Sequence, residues 1–136
     1  MKKVFAAFIA VLLLVCGTAA VWSYTKRITD TNIAKFNENA DSLLMGLQQY
    51  KEFFGSYPTG SSSDISKALF GQTDKKVLIL AVRKSDLNSK GEIVDAWGTP
   101  YQFYFSHNGI LVRSAGPNKA FEDSKVFPTD DLFRTN

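Results

Sequence analysis

The chain has 136 residues, of which 45% are hydrophobic and 21% charged, with 11 Phe and 5 Tyr. This balance is typical of a folded protein with one core and excludes a disordered or collagen-like chain. With 16 Lys plus Arg against 13 Asp plus Glu the net charge is only +3. The basic residues are spread along the chain and form no basic stripe, so we expect no nucleic-acid partner.

An uncharged apolar segment opens the chain. It runs from Val4 to Trp22, and as a helix its nineteen residues would span about 28 Å, close to the hydrocarbon thickness of a bilayer. We interpret residues 1–27 as a single-pass membrane anchor, with the N-terminus inside and the rest of the chain outside. The anchor includes the apolar residues Val4, Phe8, Leu12, Leu14 and Trp22.

A second interpretation of this segment stays open. The small residues 18–20 fit the cleavage site of a signal peptide, and cleavage there would release a soluble exported domain. We favour the uncleaved anchor because Trp22 and Tyr24 stand where an interfacial aromatic belt is expected, and because no proline or glycine interrupts residues 21–45.

Residues 28–136 are predicted to form one α+β domain. Its first element is an amphipathic helix, because apolar residues recur at steps of three and four. Gly55 can take a left-handed helix cap and Pro58 disfavours helix before it, so we expect the helix to end there. The apolar stripe consists of Ile33, Phe36, Ala40, Leu43, Leu44, Leu47, Tyr50 and Phe54.

Two short elements are expected next. Residues 61–64 offer several N-cap oxygens to a helix over residues 65–70, which Gly71 can close. The continuous apolar run from Val77 to Val82 predicts a buried strand, although periodicity alone does not separate it from a helical turn.

The last third of the chain predicts a hairpin followed by a loop. Residues 101–105 and 110–113 flank Asn108-Gly109, a pair that tolerates positive φ and strongly favours a hairpin turn. After Gly116 the apolar periodicity is lost, which predicts an ordered loop to the C-terminus. Helices followed by strands indicate a sheet covered on one face by the long helix.

No catalytic constellation is visible in the sequence. The single histidine, His107, falls in the hairpin turn, and Cys16 is the only cysteine, so neither a nucleophile with its base nor a transition-metal site can be assembled from these two residue types. No glycine-rich phosphate loop follows a predicted strand. We therefore expect a protein that is not an enzyme and has no small-molecule substrate.

Acidic residues near the C-terminus are the only candidates for a metal site. Ca²⁺ takes six to eight oxygen ligands from carboxylates, amides and carbonyls, and such groups often lie on irregular loops. Their spacing matches no known calcium loop, and scattered aspartates are more often solvated surface. The candidates are Asn118, Asp123, Asp130 and Asp131.

The segment from Asp95 to Tyr101 requires a turn directly before the hairpin. Gly98 can supply an otherwise strained backbone angle, and Thr99 before Pro100 is pushed to an extended conformation. Trp97 is expected to fold over the edge of the core. The alternative is an exposed Trp97 that binds a ligand.

From about Leu43 to the C-terminus the chain resembles the major pseudopilin family of type II secretion, the protein G family. The Tyr-Pro-Thr after the helix, the Asp-Ala-Trp-Gly-Thr-Pro-Tyr segment, a strand ending in Ser-Ala-Gly and a final Asp-Asp-Leu are similar to family motifs in the same order. Ala96 stands where the family has proline. The matching residues include Tyr57, Pro58, Asp95, Trp97, Gly98, Pro100, Tyr101 and Gly116.

The resemblance implies a pseudopilin-like fold, a calcium ion in the last loop, and a non-enzymatic role in a type II secretion or type IV pilus-like system. The expected location is the bacterial inner membrane with the domain in the periplasm, and the expected partners are other pseudopilins or secretion-system proteins. The start of the chain differs from the family. The nearest frame to its processing site puts Phe8 after Ala7, and Leu12 then stands where the family has glutamate.

Overall fold

The computed structural model describes residues 2–74, 76–107, 109–123 and 129–136, with side chains from Leu14 on. The fold is α+β, as predicted: a long helix and a short one precede a three-stranded antiparallel sheet. The chain divides into two compact units, Met1–Asn32 and Ile33–Asn136. Its elements are α1 (Lys2–Phe54), α2 (Ser62–Leu69), a 3₁₀ turn (Lys84–Asp86), β1 (Gln102–Phe105), β2 (Ile110–Ser114) and β3 (Leu132–Thr135).

The second half of α1 carries the predicted apolar stripe. Ile33 is the exception, since its side chain is 37% exposed. The helix ends at Phe54 because Gly55 takes a φ of 78° and donates its N–H to the carbonyl of Lys51 at 2.7 Å. The predicted end of the helix is thus confirmed. The buried members of the stripe are Phe36, Ala40, Leu43, Leu44 and Leu47.

The short helix α2 begins with a capping box. Ser61 Oγ accepts the N–H of Asp64 at 3.3 Å, and the Asp64 carboxylate accepts the N–H of Ser61 at 2.9 Å. Hydrogen bonds from the Ser61 hydroxyl and N–H lower the pKa of Asp64. The sequence therefore predicted this helix correctly, although in the structure the helix begins three residues before the predicted start.

The predicted strand over residues 77–82 is wrong, since the segment has no regular structure. The backbone N–H groups of Ile79 and Leu80 both donate to the carbonyl of Leu69, at 2.9 and 3.0 Å. The last carbonyls of a helix have no partner within it, so this segment completes the end of α2 and does not enter a ladder. Leu78 is 63% exposed, which also contradicts a fully buried strand.

The predicted hairpin is confirmed. Strands β1 and β2 pair with Phe105 opposite Ile110, and the N–H of Ser106 donates to the carbonyl of Gly109 at 2.9 Å. Asn108, on which that prediction also relied, lies outside the described residues. The expectation of a loop up to the C-terminus is wrong, because β3 pairs with β2 from Leu132 on.

One core joins both helices and the sheet within the unit Ile33–Asn136. The rings of Phe36 on α1 and Tyr101 before β1 are 6.3 Å apart, and both residues are almost fully buried. Each large apolar side chain buried in this way contributes about 1.5–3 kcal/mol. The cluster comprises Phe36, Ala40, Leu43, Leu44, Leu47, Ile65, Leu69, Ile93, Tyr101, Ile110 and Val112.

The predicted anchor falls within the first part of α1. The side chains of Val4, Phe8 and Leu12 lie outside the described residues. Leu14 and Trp22 are each 69% exposed, and the ammonium group of Lys26 lies 5.7 Å from the Trp22 ring centre. Within the part of the chain that the structure describes, no helix is both long enough and apolar enough to cross a membrane.

Candidate functional site

The turn before the hairpin is built around the buried carboxylate of Asp95, which is 3% exposed. Its Oδ1 accepts the backbone N–H groups of Trp97 and Thr99, at 3.0 and 2.8 Å. Its Oδ2 accepts the hydroxyl of Ser114 at 2.6 Å, at the end of β2. Asp95 therefore closes its own turn and also ties that turn to the centre of the sheet.

Trp97 is half-buried and packs against the core, as the structural interpretation of this segment predicts. Directly after the turn, Tyr101 is fully buried and its carbonyl accepts the hydroxyl of Ser62 on α2 at 2.8 Å. Burial and the nearby Asp95 carboxylate raise the pKa of Tyr101. This aromatic segment joins the turn to α2 and to the core.

The Tyr-Pro segment after α1 folds back onto the hairpin. The ring of Tyr57 stacks on Phe105, with ring centres 5.1 Å apart and an angle of 19° between planes. Its hydroxyl donates to Gln48 at 3.3 Å, the ammonium group of Lys51 lies 4.6 Å from its ring centre, and Pro58 is buried. The segment thereby attaches the end of α1 to the first strand.

Gly116 lets the last loop approach the end of β2. Its φ is 65°, and a Cβ built at this position would overlap the carbonyl oxygen of Asp130. Its N–H donates to Ser114 Oγ at 3.1 Å, the same hydroxyl that binds Asp95. Motif residues from three separate parts of the sequence therefore meet here.

The last loop converges on Arg113, whose side chain is only 7% exposed. Its Nε donates to Asp131 Oδ2 at 2.6 Å, and its Nη2 pairs with the same oxygen. Nη1 donates to Asp123 Oδ1 at 2.8 Å, and Nη2 donates to the carbonyl of Glu122 at 2.9 Å. One guanidinium thus binds residues 122–123 and residue 131 together.

Two aromatic rings flank the guanidinium of Arg113. The ring centres of Phe121 and Phe133 lie 5.2 and 5.5 Å from its central carbon. Burial lowers the pKa of Arg113, but the hydrogen bonds to Asp123, Tyr104 and Asp131 outweigh burial, and the net change is upward. The guanidinium therefore carries its charge at neutral pH.

Two of the four predicted metal ligands, Asp130 and Asp131, lie in one cluster of carboxylates, whereas Asn118 and Asp123 make other contacts. Asp123 directs one oxygen at Arg113, and its side chain is 88% exposed. The Oδ1 of Asn118 accepts the N–H of Ala120 at 2.8 Å, while its own N–H donates to Asp130 Oδ2 at 3.0 Å. Asn118 and Asp123 are therefore engaged within the loop itself.

A different set of three carboxylates lies close together. Oxygen atoms of Glu122, Asp130 and Asp131 are within 4.8 Å of one another. The Oδ1 atoms of Asp130 and Asp131 are buried and accept no hydrogen bond from any described group. Oxygen donors of this kind suit Ca²⁺, so these three residues could hold a metal ion.

Another buried carboxylate, that of Asp86, lies near α1. It is 3.0 Å from the ammonium group of Lys35 and 3.2 Å from Nε of Arg83. Burial raises the pKa of Asp86, but its bonds to Lys35 and Arg83 lower it by more, so the carboxylate is held ionised. This ion pair fixes the 3₁₀ turn to the helix.

The sequence did not reveal the roles of Arg113, Glu122 and Asp86. Arg113 was predicted only as a strand residue, because a charged residue within a strand usually faces solvent. The signal that could have indicated its role is the group of four carboxylates, at residues 122, 123, 130 and 131, that follows Arg113 in the sequence. Asp86 has no such signal, since its partner Lys35 is distant in sequence.

Comparison with models of known protein families, with curated proteins and with solved structures gives no match. The resemblance to pseudopilins therefore rests on the sequence motifs alone.

Proposed function

We propose that the protein is a membrane-anchored, pseudopilin-like structural component of a type II secretion or type IV pilus-like assembly, and that it catalyses no reaction. The main support is that the motif residues form one connected structure. Asp95 binds Ser114, Ser114 binds Gly116, and Gly116 lies against Asp130. The residues that resemble the family thus build a framework for the last loop.

The anchor is the second part of the proposal. It is supported by the uncharged run from Val4 to Trp22 and by exposed apolar side chains in and directly after the second half of that run. An apolar surface of this kind favours a lipid or protein environment over water. The exposed residues are Leu14, Val15, Val21, Trp22 and Tyr24.

Calcium is an accessory part of the proposal. Its ligands would be Glu122, Asp130 and Asp131, together with carbonyls or water, since Ca²⁺ requires at least six oxygens. We expect weak binding, with a dissociation constant of about 1 mM, because the adjacent guanidinium of Arg113 already neutralises the other oxygen of Asp131. Terbium luminescence, displaced by calcium, would measure this affinity.

Intact mass and fractionation of the protein from its native envelope test the anchor. A full-length mass in the membrane fraction, resistant to carbonate extraction, is the expected result. A mass that begins at Val21 in the soluble fraction would refute the anchor and support the exported, ligand- or envelope-binding domain. A mass that begins at Phe8 would indicate processing of the pseudopilin type despite Leu12.

Cys16 offers a direct test of assembly, because it is the only cysteine and is exposed on α1. If copies or related subunits pack their N-terminal helices together, mild oxidation in membranes should yield disulfide-linked species. Cys16→Ser is the matched control and should yield none. A protein that remains monomeric on oxidation, at native abundance, would contradict assembly through this helix.

A further inference from the structure

Arg113 occupies an unusual position for a buried cation. Successive side chains of a strand alternate between the two faces of a sheet, so Arg113 points away from the core that its neighbour Val112 fills. This outer face would normally be exposed, yet the Arg113 side chain is 7% exposed. The last loop and the Phe133 ring cover it.

A buried guanidinium is costly unless charges and acceptors surround it. Here Asp131 accepts bonds from Nε and Nη2, Asp123 accepts one from Nη1, and the Glu122 carbonyl accepts one from Nη2. The Asp131 side chain is itself fully buried. Both partners therefore depend on each other, and removing either would leave an uncompensated charge inside the protein.

The contacts also join the two ends of the last loop to one strand. Glu122 and Asp123 lie at one end of the segment that precedes β3, and Asp131 lies at the other, immediately before Leu132. A single side chain of β2 thus binds both ends. Bound metal ions commonly stabilise irregular loops in this way, by collecting oxygen atoms from separate positions.

We propose that Arg113 is the built-in cation of the C-terminal loop, so that its guanidinium, and not a metal ion, holds the loop on the outer face of the sheet. The loop then stays attached without calcium, and a metal ion at Glu122, Asp130 and Asp131 adds little. This inference does not rest on the proposed role in secretion.

The first test compares thermal unfolding of the full-length wild-type protein in mild detergent with 5 mM EGTA, which removes calcium, and with 5 mM CaCl₂. This calcium concentration is about five times the expected dissociation constant. The expected difference in Tm between the two conditions is at most about 8 °C, because binding at that ratio stabilises the fold by only about 1 kcal/mol. A Tm that falls by about 10 °C or more in EGTA would overturn the proposal.

The second test removes the guanidinium. Arg113→Met keeps much of the length and apolar volume but leaves the carboxylates of Asp123 and Asp131 without their cation. We expect its Tm in EGTA to lie about 10 °C or more below that of the wild type. Calcium should then restore a substantial part of that loss, and terbium should bind at least about tenfold more tightly than to the wild type.

Arg113→Lys covers the case in which Arg113→Met does not fold. Lysine keeps the charge but cannot form the forked contact, so an intermediate Tm and a calcium response larger than that of the wild type are expected. Arg134→Met is the matched control, since Arg134 pairs with Asp41 at the exposed surface and should show no gain in calcium response. If neither Arg113 variant gains a response to calcium, the guanidinium does not replace a metal ion and the proposal is wrong.

Discussion

The substitution Gly116→Ala tests whether the last loop depends on close approach to the end of β2. At Gly116 a Cβ would overlap the carbonyl oxygen of Asp130, and the φ of 65° is one that alanine rarely adopts. The matched control is Gly91→Ala, where φ is 76° but no atom lies within 4 Å of the added Cβ. The pair separates steric overlap from the backbone cost.

The expected magnitudes follow from that difference. A left-handed φ costs an alanine about 1–2 kcal/mol, and both variants incur this cost. Only Gly116→Ala must also displace the Asp130 backbone, which adds about 1–3 kcal/mol, as overpacking in a dense region does. For a domain of about 100 residues, Tm should fall by roughly 5–10 °C in Gly91→Ala and roughly 15–25 °C in Gly116→Ala.

Circular dichroism at 222 nm of the full-length variants would measure both transitions, and near-ultraviolet signals would report on tertiary packing around Trp97. Equal losses of Tm in the two variants would refute the close approach of the loop, because the backbone cost alone would then explain both. A loss confined to Gly91→Ala would contradict the description of both positions.

Three further predictions concern buried and exposed charges. Asp95→Ala leaves the N–H groups of Trp97 and Thr99 and the Ser114 hydroxyl without their acceptor, so we expect a loss of about 3–5 kcal/mol in urea unfolding, whereas a loss below about 1 kcal/mol would contradict the role of this carboxylate. The pKa of Asp86 is lower in the folded state than its unfolded value of 3.8. Its contribution to stability is therefore present above pH 3.8 and is lost as the pH falls through the folded pKa. Urea unfolding between pH 6 and pH 2 should show a steeper loss of stability for the wild type than for Asp86→Asn. Arg134→Met should shift the urea midpoint much less than Arg113→Lys at neutral pH, because its pair with Asp41 is exposed, and an equal or larger shift would contradict this ranking of the two arginines.

The elements that the sequence predicted correctly are those set by local chemistry. The apolar stripe of α1, the cap at Gly55 and the capping box of Ser61 and Asp64 depend on residues within a few positions of each other. The β1–β2 hairpin likewise follows from two apolar runs around a short turn. Local signals of this kind survive folding because the tertiary structure does not oppose them.

The errors arise where a distant partner decides the structure. The apolar run at residues 77–82 has the composition of a strand, but its N–H groups bind the carbonyl of Leu69, which the sequence pattern does not reveal. Strand β3 has three exposed residues and little alternation, so only its pairing with β2 makes it a strand. The sequence pattern also does not reveal that Asp123 pairs with Arg113, while Asp130 and Asp131 lie beside Glu122.

The two buried polar centres suggest why this small domain keeps charges inside. Replacing a buried ion pair with apolar side chains is often neutral or stabilising, so stability alone does not explain Arg113 and Asp131. A charge pair requires one geometry, whereas apolar contacts tolerate several, and Asp95 imposes the same requirement on the neighbouring turn. Arg113 thereby fixes residues 122–123 and Asp131 to β2, and Asp95 fixes its own turn to Ser114 at the end of the same strand.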